Sequence, residues 1–227
     1  MKAVAAAWLF AVGSAVALGQ QATITFSFEN PQLQPPQYRI TLHEDGSGQY
    51  ESAATPATAG VDVPTSDAAA LNLPAMKREI RIADPLLEQV FALARSHHFF
   101  DMACEAPKEH TAFTGKKLWS YEGTDGHGAC TYNFSKDPQV NALGEQMEAV
   151  AYTLAEGQRL DLQHLHSRLA LDAELENLQD SFREHRAAEI ANIAPTLKAI
   201  AGDQEVMERA RKRALSLLAA SEKEGAQ

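Results

Sequence analysis

The chain has 227 residues with 20 basic and 30 acidic side chains, a formal net charge of −10. Such a surface repels phosphate, which excludes nucleic acid and anionic lipid as natural partners and leaves proteins or cell-surface components. The length fits one domain, or one domain with an appendage.

The opening MKAVAAAWLFAVGSAVALGQQ reads as a secretory signal peptide over residues 1 to 19. It has one lysine, an apolar run reaching Leu18, and small residues at Ala17 and Gly19. It is too short and poorly flanked for a membrane span. We expect cleavage near Gly19, a secreted or periplasmic mature chain, and no stable membrane span. No cysteine lies near the cleavage point, so there is no lipid-anchor signal. Lys2 is the only charge lost, so the mature chain is more acidic still, and most of the acidic excess lies before residue 158.

Period-two alternation follows. Ile24, Phe26 and Phe28 alternate with Thr25 and Ser27, and Tyr38, Ile40 and Leu42 with Arg39 and Thr41, as in strands with one buried and one wet face. EDGSG at 44 to 48 predicts a hairpin turn into a short strand around QYES, and EIRI at 79 to 82 predicts another strand. KKLWSYE and ACTYNFS flank GTDGHG as a second hairpin, with Cys130, Tyr132 and Phe134 on one face. Trp119 and Tyr121 share a strand face, where core packing outweighs an aromatic binding platform. Residues 53 to 76, rich in alanine and proline, read as a flexible loop, or alternatively as a lid or docking loop.

Two helices open on Asp-Pro, where aspartate caps and proline occupies the first turn. One runs from Asp84 to about His98 with Leu86, Leu87, Val90, Phe91, Leu93 and Ala94 on one stripe. The other carries Val140, Leu143, Met147, Val150 and Leu154, and Gly157 is expected to end it. Sheet and helices together predict an α+β domain over residues 20 to 157, an antiparallel sheet covered on one face by two helices.

From residue 158 to 227 the pattern is helical, predicting a hairpin or small bundle. Leu162, Leu165 and Leu169 mark a short helix, Asp172 is placed to cap the next, and Ile190, Ile193, Leu197 and Ile200 follow at helical spacing. Gly202-Asp203 separates them from a last helix through Val206, Ala210, Ala214 and Leu217. The last stretch faintly echoes one helical-repeat unit, but such stacks need several copies and only one is present.

HEDGSGQY, the Asp-Pro helix ending in HHFF, TGKKLWSYEG and TYNFSKDPQV together resemble a family of small secreted bacterial proteins that have no assigned activity. The resemblance covers most of the mature chain. It implies this α+β architecture and carries no catalytic residue.

Cys104 and Cys130 are most simply one disulfide, because the expected compartment is oxidising. The alternative is a tetrahedral metal set of Cys104, His110, His127 and Cys130, although the first cysteine-histidine spacing is wide for zinc. Adjacent His97 and His98 diverge by about 100° on a helix and cannot easily chelate one ion. In HLH at 164 to 166, helical geometry places His166 beside the leucines and His164 in water. Metalloprotease, nucleophile-elbow and phosphate-loop signatures are absent, DGSGQYE departs from a calcium loop, and NFS at 133 to 135 is a glycosylation triplet. We therefore expect no cofactor and no catalytic residue. The expectation is a binding or interaction module, and the alternative is a small hydrolase or metal-dependent enzyme using the 97 to 130 region.

Overall fold

The computed structural model describes residues 21–55, 73–106 and 112–224. The expected signal peptide, residues 56–72 of the proposed loop, and His110 lie outside them.

The alternating segments form one six-stranded antiparallel sheet. Its strands are β1 (Thr23–Glu29), β2 (Gln37–His43), β3 (Ser47–Ser52), β4 (Met76–Arg81), β5 (Lys116–Glu122) and β6 (His127–Tyr132). The order is β4-β3-β2-β1-β5-β6, so β1 sits at the centre, bonded to β2 and β5. Short hairpins build both halves. In the β2–β3 turn Asp45 accepts from the Ser47 amide and hydroxyl, while Gly46 takes a φ of +80°, which only glycine adopts without a steric cost.

One face of the sheet is lined by Ile24, Phe26, Ile40, Tyr50, Trp119, Tyr121 and Tyr132, all buried. Helix α1 (Asp84–Ser96) covers it with Leu87, Val90, Phe91 and Ala94, the predicted stripe. Helix α2 (Pro138–His166) adds Val140, Leu143, Met147, Val150 and Leu154. Fully burying each such side chain is worth about 1.5–3 kcal/mol, which holds the two layers together. Trp119 and Tyr121 are therefore core residues.

Asp137 caps α2 as expected, accepting from Gln139 and Val140. Asp84 does not cap α1. The chain enters that helix at Ala83, whose amide instead donates to the Glu189 carboxylate at 3.1 Å.

Gly157 does not end α2. The helix runs on without a break for 29 residues, about 43 Å at 1.5 Å per residue. A Cβ at position 157 would lie 2.4 Å from Ile193 Cγ2, so this glycine serves a close approach and not a stop. The expected separate helix at Leu162, Leu165 and Leu169 is the end of α2 and a short turn, with Leu165 and Leu169 exposed.

The second half of α2 joins α3 (Leu171–Arg183), the turn Ile190–Ile193, α4 (Ala194–Gly202) and α5 (Glu208–Glu224) in a helical lobe. Its core is aliphatic: Leu160, Leu171, Leu175, Leu178, Ile190, Ile193, Leu197, Ile200, Val206, Ala210, Ala214 and Leu217. Asp172 does not cap α3. It is buried inside the first turn, paired with Arg209 at 2.5 Å and Arg213 at 3.1 Å from α5.

Internal contacts meet both edges of the sheet. At β4, Asn192 mimics a neighbouring strand: its Oδ1 accepts from Arg81 N and its Nδ2 donates to Arg81 O, each at 2.8 Å. At β6, residues 99–106 run alongside, so a Cβ on Gly128 would come within 2.6 Å of Asp101 N and Phe99 O. Beyond β6 the Glu105–Ser135 bridge continues that contact. Unpaired strand edges invite other chains, and here β6 is flanked from within while β4 is met at its Arg81 end.

Candidate functional site

The histidine- and cysteine-rich stretch from 97 to 130 is a structural junction. Cys104 and Cys130 form a disulfide, with their Cα atoms 5.7 Å apart. Both sulfurs of the alternative metal set are therefore bonded to each other. His127 of that set is exposed at the start of β6, and His110 lies outside the described residues. Among the described residues, no group of three or more histidine, cysteine or acidic side chains is placed to hold a metal ion.

Ahead of the disulfide, His98, Phe99 and Phe100 all take positive φ, from 54° to 65°. Three consecutive left-handed non-glycine residues cost roughly 1–2 kcal/mol each, so the surroundings must hold them. Phe100 stacks on Trp119 at 5.4 Å and Phe99 packs on Tyr121 at 5.0 Å. The Phe99 ring fills the space a Cβ on Gly126 would need. Nothing in the letters HHFF signals this turn; Gly126 and Gly128 of GTDGHG are its indirect trace.

His97 sits between two partners. Its Nδ1 is 2.9 Å from Ser96 Oγ and its Nε2 is 2.9 Å from Asp137 Oδ2. Serine, histidine and aspartate in hydrogen-bond series are the parts of a nucleophilic relay. Each end also has a structural duty: Ser96 Oγ donates to Leu93 O at 3.0 Å, and Asp137 Oδ1 caps α2. Burial alone would raise the Asp137 pKa, but the Gln139 amide and the His97 ring outweigh it and hold the carboxyl below its usual range. The arrangement clasps the end of α1 to the start of α2.

At the same end of the sheet, Arg95 reaches Glu44 and Asp125, and Tyr121 donates to Asp125 Oδ1 at 2.6 Å. Burial and the Asp125 carboxylate push the Tyr121 hydroxyl up to about 12. These groups satisfy one another around the helix end.

The other sequence-flagged groups are likewise occupied. His164, not His166, is the partly buried member of HLH; it meets Asp203 at 2.9 Å because α2 turns Leu160 and Gln163 inward here. Asn133 of the NFS triplet uses its amide nitrogen to donate to Ala112 O at 2.9 Å, and its oxygen accepts from Thr114 N.

Two open surfaces stand out among the described residues. The outer face of the sheet has no described element over it, and all its side chains are exposed or half-buried. Strand register arranges them in straight rows across six strands. One row runs Glu79, Gln49, Thr41, Thr25, Ser120, Ala129, and the next Lys77, Glu51, Arg39, Ser27, Leu118, Thr131. Charges cluster on β2–β4 and hydroxyls toward the centre. The second surface is a cleft of about 890 Å³ between the sheet-covering helices and the helical lobe, lined by Leu86, Gln146, Ala149, Phe182, Ala188 and Ala220 among others.

One buried polar cluster was invisible in the sequence. Arg159 Nη1 lies 3.0 Å from Glu156 Oε1 and 3.2 Å from Glu174 Oε1, and Gln163 Nε2 donates to Glu174 Oε2 at 2.9 Å. Burial first, and then Glu174, push the Glu156 carboxyl up to about 8. Glu174 is also buried, but bonds from Glu156, Gln163 and Arg159 overcome that and hold it low.

No helix among the described residues is long and apolar enough to cross a membrane. The chain matches no family model and no curated protein.

Proposed function

We propose that the chain is a secreted or periplasmic binding module that engages another protein through the open face of its sheet. The observation that carries this is the pair of unbroken side-chain rows on a face that no described element covers. Asn192 at the Arg81 end of β4 and residues 99–106 beside β6 hinder strand addition, which favours face-on contact. The rows offer hydroxyl, amide and charged groups of both signs, and the strand aromatics all lie on the inner face. That chemistry suits a hydrogen-bonded protein interface better than stacking of sugar rings.

The test is site-specific photo-crosslinking in the native compartment, with the reactive residue placed at Thr25, Thr41 or Ser120, and at Lys212 on α5 as a control. A discrete adduct from the sheet positions alone is expected. Adducts from Lys212 only, or none from the sheet face, would remove the proposal.

A second reading, a small hydrolase, has one observation in its favour: the Ser96–His97–Asp137 series. An active-site serine probe such as a fluorophosphonate decides between them. The binding reading expects no labelling, whereas labelling that disappears in Ser96→Ala would establish the hydrolase.

A further inference from the structure

Most of the described carboxylates face water or have a basic partner of their own. Glu156 on α2 and Glu174 on α3 are shut away from water and share one basic partner. They are 2% and 5% exposed, and a single guanidinium nitrogen of Arg159 serves both. One positive charge neutralises only one of two carboxylates in a dry site, and burying the second uncompensated is costly.

A second, independent sign is the hydrogen-bond inventory. Glu156 Oε2 is buried with no donor, and so is Gln163 Oε1 in the same cluster. A proton on Glu156 Oε2 turns that orphan oxygen into a donor toward Glu174 and makes the cluster neutral, leaving Gln163 Oε1 as its one oxygen without a donor.

We propose that Glu156 and Glu174 hold one proton between them as a pH-operated latch that seats α3 on α2. When the proton leaves to solvent, two carboxylates face one arginine, and α3 is driven outward until water reaches them. The effect reaches beyond the helical lobe because α3 leads directly into the turn that meets the sheet. There Glu189 accepts from Ala83 N and Asn192 pairs with Arg81, while Phe182 and Ala188 line the cleft.

The groups facing Glu156 leave little else to set its behaviour. Its own helix contributes Arg159 and Tyr152, and α3 contributes Glu174. Arg186 of the following turn is bound to Ser181 and Glu184. The 190–193 turn and α4 present Ile190, Ile193 and Leu197. On the far flank of α3, Asp172 is already matched by two arginines.

The direction with pH follows from linkage. Glu156 keeps its proton to higher pH when folded than when unfolded. Its contribution is full below the ordinary value of 4.5 and is lost as pH rises through about 8. Glu174, held low, acts oppositely: its contribution is present above its ordinary value and fades as pH falls through the lowered one.

The test uses the full chain with its disulfide intact. Carboxyl-carbon NMR on the wild type should show one glutamate titrating above about pH 7, absent in Glu156→Gln. Hydrogen exchange, corrected for its intrinsic pH dependence, should rise several-fold in α3 and residues 184–193 between about pH 6 and pH 9, with β1 and β2 as references. Glu156→Gln keeps a donor to Glu174 without a titrating proton and should flatten that rise. Glu174→Gln leaves Glu156 with Arg159 alone and should move the step to lower pH. The proposal is overturned if every glutamate titrates below about pH 6, if the rise persists in Glu156→Gln, or if it is spread evenly over the sheet.

Discussion

The two lobes are held by different chemistry. The sheet lobe has a core of stacked and tilted aromatic rings, Phe26 and Phe100 on Trp119, Phe28 on Tyr38, Phe99 on Tyr121, and it is closed by a disulfide. The helical lobe has an aliphatic core and no disulfide, and its polar interior depends on buried carboxylates matched to arginines. Rigid rings and a covalent tie fix one geometry, which suits a face that must present rows of side chains in register. Buried ion pairs respond to pH and are strongly sensitive to loss of one partner. The difference sets the open sheet face in the rigid lobe and the proposed latch in the other.

The sharpest way to break this contrast is to remove the ring at its centre. Trp119 is fully buried, and its indole nitrogen donates to the Tyr132 hydroxyl at 3.2 Å. Trp119→Ala should cost about 3–5 kcal/mol. Because α2 passes unbroken through both cores, we expect near-UV and far-UV circular dichroism to lose signal together in urea. A helical signal that outlasts the aromatic one would show that the lobes unfold separately.

Removing the covalent tie should rank next. Cys104→Ser with Cys130→Ser opens a closure with a sequence separation of 26, worth roughly 3 kcal/mol by the loop-entropy relation. The loss should concentrate where the left-handed turn needs support. Exchange of the Phe100 and Asp101 amides, bonded to His97 O and His98 O at 2.9 Å each, should accelerate before that of α4 and α5. Equal acceleration in both lobes would argue against a locally strained junction.

How much of this was legible in the letters depends on range. Alternation of Ile24, Phe26 and Phe28 reports a buried strand face because side chains point to opposite faces at period two. The Asp137-Pro138 cap and the cysteine pair are likewise short-range or compartment signals. The errors share one cause, which is a distant partner. Gly157 reads as a helix stop until Ile193 is placed beside it, and Asp84 and Asp172 read as caps until Glu189, Arg209 and Arg213 take over the contacts. The Glu156–Glu174 pair was hidden for the same reason, since two glutamates 18 positions apart are indistinguishable from solvated ones until α3 folds back on α2.

Gly157→Ala sharpens the comparison at the point where the lobes touch. Alanine favours a helix over glycine by about 1 kcal/mol, so an isolated α2 would gain. Here the new methyl would sit 2.4 Å from Ile193 Cγ2, and overpacking of this kind costs about 1–3 kcal/mol. A net loss of roughly 1 kcal/mol in urea unfolding is expected, and a net gain would mean that the contact yields freely. Pairing the change with Ile193→Val should recover part of the loss.

The smallest effect should come from Asn192, and it separates docking of the lobes from their internal stability. Its side chain makes two 2.8 Å bonds to the exposed backbone of Arg81, groups that water can satisfy when the amide is gone. Asn192→Ala should therefore cost only about 1 kcal/mol, while the Arg81 amide becomes open to exchange. Asn192→Asp keeps the acceptor for Arg81 N but loses the donor to Arg81 O and sets an anion beside a carbonyl. It should free the edge as well, by an amount that grows as pH rises through the carboxylate range and levels off above it. Unchanged protection at Arg81 in both variants would show that packing around Ile193, and not the strand-mimicking amide, joins the helices to the sheet.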